Sequence, residues 1–358
     1  MKKGILEEFK KLVNMKQLKS IEEIKAGVNV ILRMDTDLPV NDDKILDNSR
    51  LKKTIPTIRY LLDKNCRIVI VGHMGRPEGK VVPELSLKPV YVELMSLLEI
   101  DGQNAIESVF VEDIKNEEKI SKALLNNQIV FGENLRFWPE EDAGDTSLFK
   151  GIKKHVFMLV NDAFAVAHRK SASIILHREI ETYYGFDFVE EFEKINKILV
   201  DQQRPMIVVL GGAKEDKLKY LAELSQKADH VLVGGKLPKL VDRSLIVDHS
   251  NKILVAKLRE DGLDLSEDDI IKFSEIISSS KTIIWAGAMG LYEQENSRHG
   301  TEKIALAIAN SNSYKIIAGG DTSASVKDLG LKEKIDFICS GGGVMLEMLV
   351  KGDLPAWS

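Results

Sequence analysis

Short apolar segments alternate with longer amphipathic segments along the whole chain. Ten of the short segments are rich in β-branched residues and almost continuously apolar, as strands are when helices cover both faces of a parallel sheet. They are residues 28–34, 67–72, 108–113, 128–133 and 157–162, followed by 206–212, 230–235, 282–287, 315–320 and 336–343. Between them, apolar residues such as Leu51, Ile55 and Ile58 have helical spacing. The pattern predicts an α/β fold with doubly wound parallel sheets.

A helical segment separates the first five apolar segments from the last five. Its apolar residues, from Phe188 to Leu199, have helical spacing, and Pro205 ends the pattern because proline disfavours helix at the preceding residue. The predicted organisation is a first lobe over residues 1–187, a connecting helix over 188–203, a second lobe over 204–344, and a tail over about 345–358 that packs back on the first lobe. The first 14 residues have the pattern of an amphipathic helix covering the first lobe.

Length and charge agree with two domains and exclude several classes of protein. The chain has 358 residues, and a domain takes roughly 150 residues. Its 50 basic and 55 acidic residues give a formal charge of −5, whereas a surface that binds nucleic acid requires a basic excess. No apolar run approaches the ~18 residues of a membrane span. Cys66 and Cys339 are the only cysteines, which favours a reducing compartment. We therefore expect a cytoplasmic protein without a nucleic-acid or membrane partner.

Basic side chains follow the apolar segments of the first half. In open α/β sheets, ligands bind beyond the carboxyl ends of the strands. The basic residues at these positions are Arg33, His73, Arg76, Arg136, His168 and Arg169, with Arg50 opening the next helix. A guanidinium group can hold a carboxylate or phosphate through two parallel hydrogen bonds. Ordinary surface ion pairs would explain any single arginine, but the whole set predicts a small ligand with several negative charges.

Glycines follow the apolar segments of the second half, where every adjacent Gly-Gly pair of the chain lies. Glycine allows backbone N–H groups to approach phosphate oxygens, usually at a helix N-terminus. Lys214 adds positive charge, and Asp321 is a plausible ligand for a nucleotide-bound Mg²⁺. The common nucleotide-binding signatures, a P-loop and a G-x-G-x-x-G turn, are absent from the sequence. Tight turns alone would explain each pair, but the series predicts a nucleotide lobe.

The two halves together predict a bilobed enzyme that transfers a phosphoryl group. One lobe would hold a small polyanion and the other a nucleotide, and closure of the lobes would bring the reacting groups together. The expected hinges are the segment from Phe186 to Pro205 and the segment around Ser340.

The chain resembles the phosphoglycerate kinase family from about Met15 to its end. The stretches that carry the resemblance are residues 33–39, 73–77, 133–137, 161–164 with 168–169, 211–214, 285–293, 319–322, and 341–343 with 346–347. Their order and spacing make the match specific. The resemblance implies two Rossmann-like lobes and reversible transfer between 1,3-bisphosphoglycerate and ADP, giving 3-phosphoglycerate and ATP with Mg²⁺. It also implies a hinge-bending monomer.

The resemblance also implies roles for individual residues. The implied substrate-binding residues are Asp35, Asp37, Arg50, His73, Arg76, Arg136, His168 and Arg169. The implied nucleotide-binding residues are Gly212, Ala213, Lys214, Lys217, Gly235, Gly287, Glu293, Gly320, Asp321 and Thr322. Catalysis is implied for Arg50, Lys214, Gly342 and Gly343, and Asp321 would hold the metal ion.

Several positions depart from the family pattern. Asp37 and Ser171 stand where the family usually has Asn and His, and Ala286 and Ala288 replace Asn and Pro. The lysine after Lys214 comes three residues later rather than four, which on an α-helix rotates it by ~100°. The segment from about Val241 to Lys281 is short for the family. Two alternatives therefore stay open: a non-catalytic binding or sensor protein, and a kinase with altered nucleotide preference.

Overall fold

A computed structural model of the chain describes residues 18–99, 106–242, 244 and 251–358. These residues form two compact units. The first unit extends to Phe192 and includes Asp353–Ser358, and the second is Glu193–Gly352. The helix predicted for the first 14 residues lies outside the described residues.

The first unit is built on a six-stranded sheet in which all neighbours are parallel. Its strands are β1 (Asn29–Met34), β4 (Arg67–Val71), β5 (Ser108–Val111), β6 (Ile129–Gly132), β7 (Met158–Asp162) and β8 (Glu181–Tyr184). Their order in the sheet is β5-β6-β4-β1-β7-β8, with parallel pairing throughout. An antiparallel hairpin of β2 (Val40–Asn41) and β3 (Lys44–Ile45) follows β1.

Helices cover both faces of this sheet, which is why its strands are apolar on both sides. The helices are α1 (Ser49–Asp63), α2 (Lys88–Glu99), α3 (Glu117–Asn126), α4 (Pro139–Ala143), α5 (Ala172–Ile175) and α6 (Phe186–Val200). Leu32 packs with Leu51 of α1 on one face, and Ile31 packs with Ile120 of α3 on the other. The connecting helix expected over 188–203 overlaps α6, which begins in the first unit and continues into the second beyond Phe192.

The second unit repeats the same design. Its strands are β9 (Met206–Leu210), β10 (His230–Val233), β11 (Ile253–Val255), β12 (Thr282–Ala286), β13 (Tyr314–Ala318) and β14 (Phe337–Cys339). The sheet order is β11-β10-β9-β12-β13-β14, again with parallel pairing throughout. Its helices are α7 (Leu221–Lys227), α8 (Glu267–Ser278), α9 (His299–Asn310), α10 (Gly320–Asp328) and α11 (Gly342–Lys351).

The strand registers bring the segments that are predicted to bind ligands together at the carboxyl ends of the strands in each sheet. In the first sheet Arg33 is paired with Val71 and Asn161, so β1, β4 and β7 end at the same level. In the second sheet Ala286 is paired with both Leu210 and Ala318. The segments that follow these strands therefore start side by side.

The two parallel sheets confirm the α/β fold predicted from the apolar pattern. The pattern misses β8 and β11, which lie at sheet edges and are only partly buried. β8 begins with a glutamate and a threonine, and β11 has only three residues, so neither gives a long apolar run. Within the described ranges, no helix is long and apolar enough to cross a membrane.

Candidate active site

Positively charged side chains from separate elements meet at the carboxyl edge of the first sheet. Arg50 lies in the first turn of α1, Arg136 in the 3-10 turn after β6, and Arg169 beyond β7. His73 follows β4. Burial lowers its pKa well below the usual value, and the charges of Arg33, Arg136, Arg169 and Arg50 lower it further. These arginines are thus close enough to His73 for their charges to lower its pKa.

The carboxylate of Asp35 and the backbone oxygen of Asp37 orient Arg50 within this cluster. Its Nη1 donates to Asp35 Oδ2 at 2.9 Å and to the backbone oxygen of Asp37 at 3.2 Å. The side chain of Asp37 accepts the Gly75 N–H at 3.0 Å. The carboxylate that replaces the family's Asn therefore has a donor here, and its charge also acts on Arg50. This pairing removes part of the repulsion expected between Asp37 and an anionic ligand.

Arg136 and Arg169 lie close together although both are positively charged. Arg136 is buried, with Nε donating to Asp142 Oδ1 at 3.1 Å and Nη1 to the Gly75 oxygen at 2.6 Å. Burial lowers the pKa of Arg169, and the charges of Arg136 and Arg76 lower it further. Arg169 Nε is buried without a hydrogen-bond partner among the described residues. An anion at this position would supply both the missing acceptor and the missing negative charge.

The remaining residues of the predicted substrate set lie around this cluster. Arg76 is exposed and His168 is half-buried. Ser171, which stands at the position of a usual histidine, is buried and precedes α5. The structure thus brings together the basic residues predicted from the strand ends.

The glycine turns at the carboxyl edge of the second sheet pack against one another. Gly212 N donates to the Ala288 oxygen at 2.6 Å, and Gly235 N donates to the Met289 oxygen at 2.9 Å. Gly287 has φ +103°, and a Cβ there would lie 2.2 Å from the Gly211 oxygen. Close backbone packing therefore requires glycine at this turn. This requirement is structural and is separate from any contact with phosphate.

The segment that follows Lys214 and contains Lys217 is a 3-10 helix rather than an α-helix. Lys214 caps the helix formed by Glu215–Tyr220 and is exposed. Lys214 itself has an extended backbone with φ −84° and ψ 113°, so helix periodicity does not set the angle between the two lysine side chains. Lys217 Nζ donates to the oxygens of Gly211 and Ala286 at 2.8 and 3.0 Å. Burial lowers its pKa to about 8.

Two helix N-termini complete this edge of the second unit. Gly319 precedes α10 with φ +102°, and Gly341 precedes α11. Asp321 is exposed in the first turn of α10, and its charge acts on Lys217. Thr322 is buried, and its Oγ1 accepts the Gly287 N–H at 2.7 Å. Thr322 therefore holds the turn after β12 in place.

The other residues of the predicted nucleotide set are accessible. Ala213, Glu293 and Gly320 are exposed. Gly342 and Gly343, which are predicted to be catalytic, are half-buried at the start of α11. The donor set near Asp321 fits Mg²⁺, which is bound in many phosphoryl-transfer sites by one or two carboxylates together with substrate phosphates and water. Among the described residues, no group of three His, Cys, Asp or Glu side chains could hold a metal without the substrate.

Comparison with known proteins agrees with this arrangement. The family model for phosphoglycerate kinase matches residues 21–242 and 240–352. The chain belongs to the phosphoglycerate kinase family. The phosphoglycerate kinase of Moorella thermoacetica is 32% identical over an alignment 375 positions long, which covers 91% of this chain and 94% of that protein. The phosphoglycerate kinase of Nautilia profundicola is 32% identical over an alignment 388 positions long, with 93% and 96% covered.

Solved structures of this family also resemble the chain. The phosphoglycerate kinase from Pyrococcus horikoshii OT3 superposes with a TM-score of 0.80 and 27% identity, covering 95% of this chain and 97% of that one. The phosphoglycerate kinase from Coxiella burnetii gives a TM-score of 0.77 and 25% identity with the same coverage. These matches confirm the family and the fold inferred from the sequence. The roles of individual residues stay predictions.

The structure adds one contact near the lysines that the sequence pattern does not indicate. Tyr220, which ends the 3-10 helix, donates its hydroxyl to Glu347 Oε2 on α11 at 2.6 Å, and both side chains are buried. This bond ties the segment that carries Lys214 to the helix that begins at Gly342. A tyrosine and a glutamate 127 residues apart give no local signal in the sequence.

Proposed function

We propose that the chain catalyses reversible transfer of a phosphoryl group between 1,3-bisphosphoglycerate and ADP, giving 3-phosphoglycerate and ATP. The observation that carries the proposal is the cluster of Arg50, Arg136 and Arg169, where one buried guanidinium N–H has no partner among the described residues. A ligand with a phosphate at one end and a carboxyl or acyl phosphate at the other matches such a cluster. Family membership supports the same reaction.

The first unit would bind the phosphoglycerate. Arg136, Arg169 and Arg76 would hold its phosphate, because an anion would relieve their mutual repulsion. Arg50, oriented by Asp35, would contact the carboxyl group that gives or takes the phosphoryl group. His168 and His73 would complete the polar lining.

The second unit would bind the nucleotide at the glycine turns. Lys214 would follow the moving phosphoryl group, and Lys217 would face the phosphates from the adjacent turn of the 3-10 helix. The N–H groups at Gly342 and Gly343 would donate to phosphoryl oxygens at the N-terminus of α11. Glu293 would reach the ribose. Asp321 would hold Mg²⁺ together with the nucleotide, and the bound ion would neutralise phosphate charge.

The reaction would be a direct in-line transfer without a covalent enzyme intermediate. In phosphoryl transfer the charge spreads over three equatorial oxygens, so the protein contributes mainly by positioning and by neutralising charge. Arg50 would stabilise the acceptor carboxylate while Lys214 stays with the moving group. Direct transfer requires that both substrates reach one phosphorus atom, so the closure expected from the sequence remains a prediction, as do a monomeric state and a cytoplasmic location.

A coupled assay with 3-phosphoglycerate, ATP and Mg²⁺ tests the proposal. We expect formation of ADP and acyl phosphate that depends on all three components. Activity no greater than that of an Arg50→Ala variant would refute it, and binding of phosphoglycerate without nucleotide binding would identify a sensor instead.

The replacements at Ala286 and Ala288 are the specific reason to test other phosphate donors. Ala286 ends β12 and Ala288 lies just beyond it, and their backbone oxygens accept hydrogen bonds from Lys217 and Gly212. ATP, GTP and pyrophosphate should be compared in the same assay. ATP is expected to be the best donor, and a higher kcat/KM with pyrophosphate would show that the second unit has changed its ligand.

The affinity for nucleotide is expected to depend on the protonation of Lys217. Its pKa is lowered to about 8 by burial, so the ammonium form, which attracts phosphate, is lost as the pH rises through that value. The affinity for Mg-ADP should then fall by about tenfold at one pH unit above it. Calorimetry across this range measures the effect. Lys217→Met should bind more weakly at neutral pH and show no such fall; an unchanged pH dependence in the variant would assign the titration to another group.

A further inference from the structure

Arg33 is buried in the first unit, beneath the proposed phosphoglycerate site. It lies on β1 with a side chain that is 1% exposed. Its Nε donates to Ser173 Oγ at 3.0 Å, its Nη1 donates to the Met34 oxygen, and its Nη2 lies 2.8 Å from His73 Nδ1. Each of its three guanidinium nitrogens already has a protein partner, so Arg33 is placed to act on a ligand through His73 rather than by direct contact.

The contact between Arg33 and His73 determines where the histidine carries its proton. A guanidinium group has five N–H donors and no acceptor, and it stays charged in proteins. The ring nitrogen that faces Arg33 must therefore accept, so Nδ1 carries no proton. In the neutral imidazole the proton then lies on Nε2, which leaves Nε2–H as the only ring donor. Arg33, Arg136, Arg169 and Arg50 all disfavour a second proton on the ring.

Glu141 balances the charge of Arg33 through Ser173. The carboxylate of Glu141 is 1% exposed. It accepts the Ser173 N–H at 2.9 Å and the Ser173 hydroxyl at 2.6 Å. Because the hydroxyl donates to Glu141, its oxygen is free to accept from Arg33 Nε. The contacts thus run from Glu141 through Ser173 and Arg33 to His73. The buried charge of Arg33 requires a partner of opposite charge, and Glu141 is that partner.

We propose that Arg33 is a positioning residue that holds His73 as the neutral Nε2–H tautomer, a fixed hydrogen-bond donor to the bound phosphoglycerate, and that Glu141 holds Arg33 through Ser173. The identity of the ligand rests on the proposed function. The tautomer does not, because it follows from the contacts of the free protein.

NMR of protein with ¹⁵N-labelled histidine tests the tautomer without an activity measurement. The His73 signals are assigned by their loss in His73→Gln. We expect a single neutral Nε2–H form that does not titrate around neutral pH. A proton on Nδ1, or a charged ring at neutral pH, would overturn the proposal.

Three variants separate positioning from folding. Arg33→Met leaves Glu141 as an unpaired buried charge, so Arg33→Met with Glu141→Gln is the informative protein because it removes both charges. In this double variant we expect His73 to lose its fixed tautomer and to titrate nearer its usual pKa. Glu141→Gln alone keeps Arg33 and should keep the tautomer. An unchanged His73 in the double variant would show that Arg33 does not set it.

The double variant also has kinetic and stability signatures. A hydrogen bond to a charged ligand contributes about 1.5–3 kcal/mol, so KM for 3-phosphoglycerate should rise by about tenfold or more at neutral pH. As the pH is lowered and His73 of the double variant becomes protonated, the KM of the double variant should fall back toward that of the wild type. A rise in KM without this pH dependence would indicate a structural role only.

Thermal stability tests the link between Glu141 and Arg33. If Glu141 holds Arg33, the double variant loses less thermal stability than the sum of the losses in the two single variants; additive losses would contradict that link.

Discussion

Replacing Arg50 by methionine is expected to lower kcat by about 10²–10³-fold, the usual effect of removing one preorganised donor. Arg50 is fixed by Asp35 at 2.9 Å and is proposed to contact the reacting carboxyl group, where charge changes during transfer. The loss should therefore fall mainly on kcat rather than on KM. Steady-state kinetics in both directions measure this effect.

Arg67→Met is the matched control for this variant. Arg67 is an exposed arginine of the same unit, at the amino end of β4, and so lies at the opposite edge of the sheet from the proposed site. We expect its replacement to leave kcat and KM unchanged. A loss in Arg67→Met comparable with that in Arg50→Met would mean that general charge or stability, and not position, explains the effect.

Replacing Lys214 by methionine is expected to lower kcat by a similar factor, about 10²–10³. Lys214 is exposed at the start of the 3-10 helix, where no buried contact would be lost. Its proposed role is to accompany the phosphoryl group, so the affinity for ADP should change much less than kcat. Kinetics together with calorimetry of Mg-ADP separate the two quantities.

Lys219→Met provides the control on the same helix. Lys219 is also exposed, and its Nζ lies over the ring of Tyr220, 4.7 Å from the centroid. It should be replaceable with little effect on kcat. If Lys214→Met retains wild-type kcat, the lysine is not part of the transfer step, and the nucleotide side of the account is wrong.

The central strands could be predicted from the sequence because each is an uninterrupted run of apolar residues. The residues of β9, for example, are all buried and all apolar, so they form a run that is easily distinguished from the surrounding sequence. The edge strand β8 begins with an exposed glutamate and is buried only at its end. Its first two residues, Glu181 and Thr182, interrupt the apolar run, so its composition overlaps with that of loops.

The basic cluster could be predicted because parallel strands bring their carboxyl ends to one edge. Whether each basic side chain is exposed or buried could not be predicted in the same way. Arg33 has the same sequence signal as Arg76, yet Arg33 is buried and Arg76 is exposed. Sequence position identifies the edge, but burial and hydrogen-bond partners decide whether an arginine meets the ligand or a neighbouring histidine.

The lysine spacing shows the limit of reasoning from helix periodicity. The expected rotation of ~100° assumes one α-helix that contains both lysines, whereas Lys214 has an extended backbone and the helix from Glu215 to Tyr220 is a 3-10 helix. The glycine pairs show a second limit, because Gly287 is required by the backbone of Gly211 whether or not a phosphate binds. Both features depend on tertiary contacts that no local pattern encodes.

Direct observation of the transferred phosphorus tests the central claim. The wild-type protein, Arg50→Met and Lys214→Met would each be mixed with Mg-ATP and 3-phosphoglycerate and followed by phosphorus NMR. We predict that the wild type converts the γ-phosphate of ATP to an acyl phosphate while ADP appears, and that both variants do so far more slowly. If calorimetry shows that the wild type binds both substrates, yet its rate of acyl phosphate formation is no higher than that of the variants, the proposed transfer and its residues are contradicted.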